Sequence, residues 1–165
     1  MNPGRFSLIA IIGLWIAAGV QAAAGQYLPQ ALWTPHILLA FASVLALWSS
    51  RRVGLLLGFV VGIVDATMAG DSAFFHIAAR MLAGLIAASF GNALPDRGPG
   101  MGALASGVAA LASNLFLLLF LAPRPLSLQL AVMVTGAIMT GLVGGILALI
   151  VTRLAGSRRT EAWRA

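Results

Sequence analysis

The sequence predicts an all-α integral membrane protein of six transmembrane helices, with both ends in the cytoplasm. Three observations lead there. The chain is 61% hydrophobic and only 8% charged, against about 25% charged for a soluble domain. Its apolar runs recur near bilayer-crossing length, separated by short polar breaks. Its arginines gather on alternate breaks. Backbone polar groups in lipid must be satisfied within the segment, and no period-two alternation runs along these stretches, so they are helices and not barrel strands.

The first run, residues 6–25, follows Arg5 and closes before Tyr27-Leu28-Pro29. Arg5, the apolar stretch from Phe6 to Val20 and the small residues Ala22-Ala23-Ala24 also have the layout of a cleavable signal peptide; the length of the run favours a retained helix. The second run, 36–50, starts after Thr34-Pro35 and ends at Arg51-Arg52. The third, 53–69, stops at Gly70-Asp71-Ser72, and the fourth, 73–93, at Pro95-Asp96-Arg97-Gly98-Pro99-Gly100. The fifth, 101–122, meets Pro123-Arg124-Pro125, and the sixth, 127–155, runs into a basic tail. Proline and glycine punctuate each boundary. The second and third runs are short against the ~20 residues of a spanning helix. All the loops are short, so residues 1–165 make a single transmembrane domain.

Orientation follows from arginine. With the N-terminus inside, the cytoplasmic segments hold Arg5, Arg51, Arg52, Arg97, Arg153, Arg158, Arg159 and Arg164, and the outer segments hold only Arg124. This describes a multi-pass membrane protein with both ends on the cytoplasmic side. The chain has no Cys, which removes disulfides and thiolate metal sites. All ten basic residues are arginine, which removes a P-loop lysine and a Schiff base. The arginines flank apolar runs and are not interleaved with exposed aromatics, so nucleic acid is not an expected partner. Membrane lipid is: the tail from Arg153 to Arg164 reads as an anchor for anionic headgroups, with docking of a cytoplasmic protein as the alternative.

One stretch concentrates the polar chemistry. Residues 62–80 hold Asp65, Asp71, His76 and Arg80. Asp65 and His76 lie on either side of the Gly70-Asp71-Ser72 turn, and Arg80 follows His76 by four residues, on the same helix face. Asp65, His76 and Arg80 are therefore expected to form an intramembrane polar cluster between the third and fourth helices. Charges in a membrane are expensive and point to a functional site. They equally fit a structural pair in which Arg80 neutralises Asp65 and pins the hairpin. Asp71 reads as a solvated turn residue.

Small residues supply a second signal. Gly54, Gly58 and Gly62 recur every four residues in the third run. Gly102, Ser106, Ala110 and Asn114 line the fifth, and Gly136, Gly141, Gly144 and Gly145 the sixth. Such stripes let helix backbones approach closely. Gly54, Gly58, Gly62 and Asn114 are candidates for helix packing or for a partner interface, with Asn114 expected to hydrogen-bond across helices. Trp15, Trp33 and Trp48 read as span or interface aromatics, Tyr27 with Trp33 as an outer belt, and Trp163 as a headgroup contact.

The order of these features resembles MreD, the rod shape-determining membrane protein family of bacteria. The resemblance is carried by Pro29, Pro35, Arg51, Arg52, Gly54, Gly58, Gly62, Asp65 and His76, over about residues 29–90. The chain departs from the family pattern at His36 and at Phe74-Phe75. The resemblance implies a six-helix fold similar to the substrate-binding subunits of energy-coupling-factor transporters. It implies a multi-pass protein of the bacterial cytoplasmic (inner) membrane and a non-catalytic scaffold of the cell-elongation machinery, binding MreC and helping to organise RodA, a class B penicillin-binding transpeptidase and, indirectly, the MreB filament. The alternative is a small-molecule-binding subunit of an energy-coupling-factor type transporter, with Asp65, His76 and Arg80 as a ligand site reached from outside. An enzyme is not expected: no paired carboxylates share a depth, and no Ser–His arrangement is present. No catalytic residue, cofactor or metal follows from the sequence.

Overall fold

The computed structural model describes residues 3–27, 35–69, 72–94, 98–121 and 126–155, with side chains described from 10 to 24 in the first of these and to 153 in the last. Six helices occupy the six expected segments: α1 Pro3–Tyr27, α2 Ile37–Leu47, α3 Arg51–Ala69, α4 Ala73–Ala93, α5 Pro99–Leu121 and α6 Leu126–Ala155. Four of them, α3 to α6, are long and apolar enough to cross a membrane. The described apolar stretch of α1 is shorter, Ala10–Ala24, as is α2.

Helix α2 is where the expectation of a spanning run over 36–50 gives way. It has 11 residues, about 16 Å at 1.5 Å per residue, which is roughly half of a ~30 Å hydrocarbon core. Both limits are local. Pro35 stands two residues before the first helical position, and a proline, with no N–H to give, does not sit inside a helix without breaking it. At the other end the chain turns through Trp48 and Ser49, whose N–H groups bond the carbonyls of Leu45 and Ala46. Ser50 then caps α3 by accepting the Val53 N–H on its hydroxyl, 3.4 Å away. Similar punctuation sets the other ends: α4 stops before Pro95, and Pro99 opens α5 in the first position, where its missing N–H costs nothing.

Two antiparallel pairs, α3 with α4 and α5 with α6, are the most intimately packed. Glycine makes both possible. A Cβ placed at Gly54 would stand 2.7 Å from the Ala88 Cβ, and one at Gly58 would stand 2.7 Å from the Met81 Cα. Gly141 faces the Gly107 backbone on α5 in the same way. Helix α2 lies alongside the second half of α4, with the Leu47 carbonyl against Gly91. It touches α3, α5 and α6 as well, so this short helix is surrounded. Leu38, Leu39 and Ala40 are buried, as is every residue from Ala42 to Leu47. Helix α1 packs chiefly on α2, with the Phe41 ring under Gly13. A single apolar core draws on all six helices, from Ala10 and Ala17 to Ala137.

The antiparallel order puts the α3–α4 turn and the α5–α6 turn at one end of the bundle, here the turn end. The opposite end carries Arg51, Arg52 and Arg153, all exposed.

Candidate functional site

Arg80 is the largest fully buried side chain among the described residues, 2% exposed. It sits in the second turn of α4, where the α3 glycine stripe brings the two backbones together and Gly58 lies under its carbonyl. That closeness carries the guanidinium across to α3. Arg80 Nε donates to Asp65 Oδ2 in an ion pair, with the Asp65 side chain only 10% exposed. One terminal nitrogen of the same guanidinium donates to Ser113 Oγ on α5, 2.7 Å away. One arginine thus ties three helices together. A guanidinium suits this work because its several donors lie in a fixed plane and can serve two partners at once.

Of the three expected cluster residues, Asp65 and Arg80 are in direct contact. His76 lies one turn from Arg80 on α4, half-buried, with both ring nitrogens shielded from solvent. A second histidine joins them. His36, at the start of α2, lies within electrostatic range of Arg80, Asp65 and His76. No local signal in the sequence pointed there: His36 opens the second apolar run directly after Pro35, and it stands at the start of the short α2, where its N–H meets Thr140 of α6. Ser113 was also missed, because serine is common on small-residue stripes and Asn114 beside it is the more conspicuous polar residue. Ser113, next to Asn114, makes a cross-helix hydrogen bond as the acceptor of Arg80.

The start of α2 is held by side chains from two distant helices. A helix begins with backbone donors that have no partner inside the helix. The Ile37 N–H donates to Gln21 Oε1 of α1 at 2.7 Å. The His36 N–H donates to Thr140 Oγ1 of α6 at 3.0 Å. Thr140 in turn donates its hydroxyl hydrogen to the Gly136 carbonyl, 2.7 Å away, so its oxygen acts as both donor and acceptor.

Asn114 and His36 face a cavity of about 220 Å³, which Leu117, Gln129, Val132 and Met133 also line. It lies between α5 and α6 in their turn-end halves. Gln129 Oε1 is buried there, with no hydrogen-bond partner among the described residues. Nearby, Phe75 of α4 stacks on Phe120 of α5, ring centres 5.2 Å apart, and Phe116 flanks Phe120 at 4.8 Å. Phe75 is therefore a packing residue, whereas Phe74 is exposed.

Gly54, Gly58 and Gly62 all face α4, so the stripe serves packing within the chain. Gly102, Ser106 and Gly144 do the same between α5 and α6. Asp71, Trp33 and the tail from Arg158 to Arg164 lie outside the described residues. Among the described residues no three His, Asp or Glu side chains are grouped to hold a metal ion. Comparison of the chain with protein-family models, curated proteins and solved structures gave no match.

Proposed function

We propose that this protein is a non-catalytic membrane scaffold of the bacterial cell-elongation complex, which binds an MreC-like membrane protein and helps organise lateral peptidoglycan synthesis. The observation that carries the reading is the internal use of Asp65 and Arg80. The two charges neutralise each other, Ser113 takes a further guanidinium donor, and three helices are locked into one body. A rigid body with its polar groups turned inward suits a platform for other membrane proteins. Its glycine stripes are occupied, so a partner would meet the outward face of α1. That face presents Ile11, Ile12, Trp15 and Ile16, with Trp15 77% exposed. RodA, the transpeptidase and the MreB filament would be reached through the MreC-like protein. The inward position of the N-terminus follows from the arginine distribution.

The test is co-purification of an MreC-like partner with the wild-type chain and with Trp15→Ala and Ile12→Ala together, alongside rod shape in a depletion strain. Loss of both in monodisperse, helical protein is the expected result. Normal partner recovery and normal rods would remove the α1 surface, and no recovery by the wild type would remove the scaffold.

A transporter-subunit reading draws on the cavity beside His36. At about 220 Å³ it falls below the ~300–1,000 Å³ of pockets that enclose drug-sized ligands. The scaffold reading is therefore preferred.

A further inference from the structure

A groove lies on the outside of the α3–α4 pair and starts at the arginine-rich end. Arg52, Leu55, Leu56 and Phe59 of α3 line it, with Met81 of α4, around a volume of about 480 Å³. The four α3 residues have the spacing of a single helix face. From Arg52 to Phe59 that face descends ~10 Å, about a third of a ~30 Å hydrocarbon core. Leu56 is 63% and Phe59 41% exposed, so the groove is open to what surrounds the bundle. Arg52 and its neighbour Arg51 stand exposed at its head. Asp65, the one acidic residue at a described position, is engaged by Arg80.

We propose that this groove holds one anionic phospholipid, with its phosphate on the Arg52 guanidinium and one acyl chain along Leu55, Leu56, Phe59 and Met81. The groove has the polarity of such a lipid, a charge at the head and hydrocarbon below it. A guanidinium takes a phosphate through two parallel N–H donors. The Arg52 stem can lie against the apolar wall while its charge stays at the headgroup level. Any acyl chain of the bilayer can cover the leucines, so the choice among lipids falls to the polar end, where the arginines favour an anion. The arginine distribution puts this end on the cytoplasmic side, whose leaflet carries anionic lipid. A partner helix or a second copy of this chain would also cover the apolar wall, but would need a carboxylate level with Arg52 to match its charge. The site does not depend on the scaffold reading, since it lies on α3 and α4 and not on α1.

Phosphatidylglycerol and phosphatidylcholine with identical acyl chains test this, titrated in turn into the full chain in a mild detergent. Bound lipid is counted by native mass spectrometry. One phosphatidylglycerol is expected to be retained per chain, about fivefold more tightly than phosphatidylcholine, the difference that one arginine near a charged surface supplies. Arg52→Gln should remove most of that preference. Arg153→Gln, which changes an exposed arginine at the same end, should leave it intact. Leu56→Trp, which lays an indole across the groove, should weaken both lipids alike. Equal retention of the two lipids by the wild type overturns the site. So does an equal loss of preference in Arg52→Gln and Arg153→Gln, which is the mark of general attraction to a basic surface. A wild-type dimer that becomes monomeric in Leu56→Trp would give the groove to a second copy and also overturn it. Partner co-purification is expected to survive Arg52→Gln, so failure of the site and failure of the scaffold are read separately.

Discussion

Asp65 and Arg80 are not equivalent when either is left alone. A carboxylate without its arginine becomes neutral by taking up a proton, whereas a guanidinium without its carboxylate has no neutral form to adopt. Breaking a buried pair from one side costs about 3–5 kcal/mol. Asp65→Asn is therefore expected to cost more folded protein than Arg80→Gln, and the double variant less than the sum of the two, by about 1 kcal/mol or more on the scale of contacting residues. Thermal unfolding of the single and double variants in detergent measures both effects. Strict additivity would separate the two residues. The pairing was legible because spacing alone puts Asp65 and Arg80 on facing sides of one hairpin. Ser113 was not, since it reaches the cluster through a hydrogen bond between helices far apart in the chain, and the approach of His36 was not, since it depends on how α2 is seated.

Between helices, the decisive feature is how near two backbones come. Gly58 and Gly19 have the same chemistry and opposite surroundings: a Cβ at Gly58 meets the α4 backbone, and one at Gly19 meets nothing within 4 Å. Gly58→Ala is expected to lower the yield of monodisperse protein severely, since backbone cannot move aside as a side chain can. Gly19→Ala should be neutral or mildly stabilising, because alanine is the better helix former. Size-exclusion profiles and melting temperatures distinguish them. The stripes were visible in the sequence, but which neighbour they faced was not, because a spacing of four marks a surface without naming what covers it. The length of α2 was hidden for a related reason. Its apolar run continues through Trp48, and hydropathy does not register that Pro35 and the Ser49-Ser50 turn close in on it. Removing either support of its N-terminus, by Gln21→Ala or Thr140→Val, leaves a half-buried N–H without its partner, at a cost of about 1 kcal/mol. Denaturant or thermal midpoints should fall for both.

The distribution of arginine gives the bundle a direction. Arg51, Arg52 and Arg153 stand exposed at one end, and the described positions at the turn end have no exposed arginine. The native chain has no cysteine, so single cysteines report sidedness without background. Ser72→Cys is expected to react with an impermeant maleimide on intact spheroplasts, and Gly100→Cys only after permeabilisation. The reverse pattern would overturn the cytoplasmic placement of the arginine-rich end. Six helical segments and their order were readable from hydropathy and proline alone. Their packing partners depend on contacts that composition does not encode.

The two hydrogen bonds at the start of α2 also impose an order of events. The Gln21 bond joins residues 16 positions apart, and it is within reach as soon as α1 and α2 have left the ribosome. The Thr140 bond spans 104 positions, so the His36 N–H waits for α6 to be synthesised and inserted. Until then α2, already too short to cross a bilayer alone, has one end unfinished inside the growing bundle. Its final seat is a late event, contingent on the arrival of α6. A chain stopped before α6 should therefore leave α2 open to protease and to quality-control factors that survey incomplete membrane proteins, even though every residue of α2 has been made. The shortest helix, second in line of synthesis, is among the last to be secured.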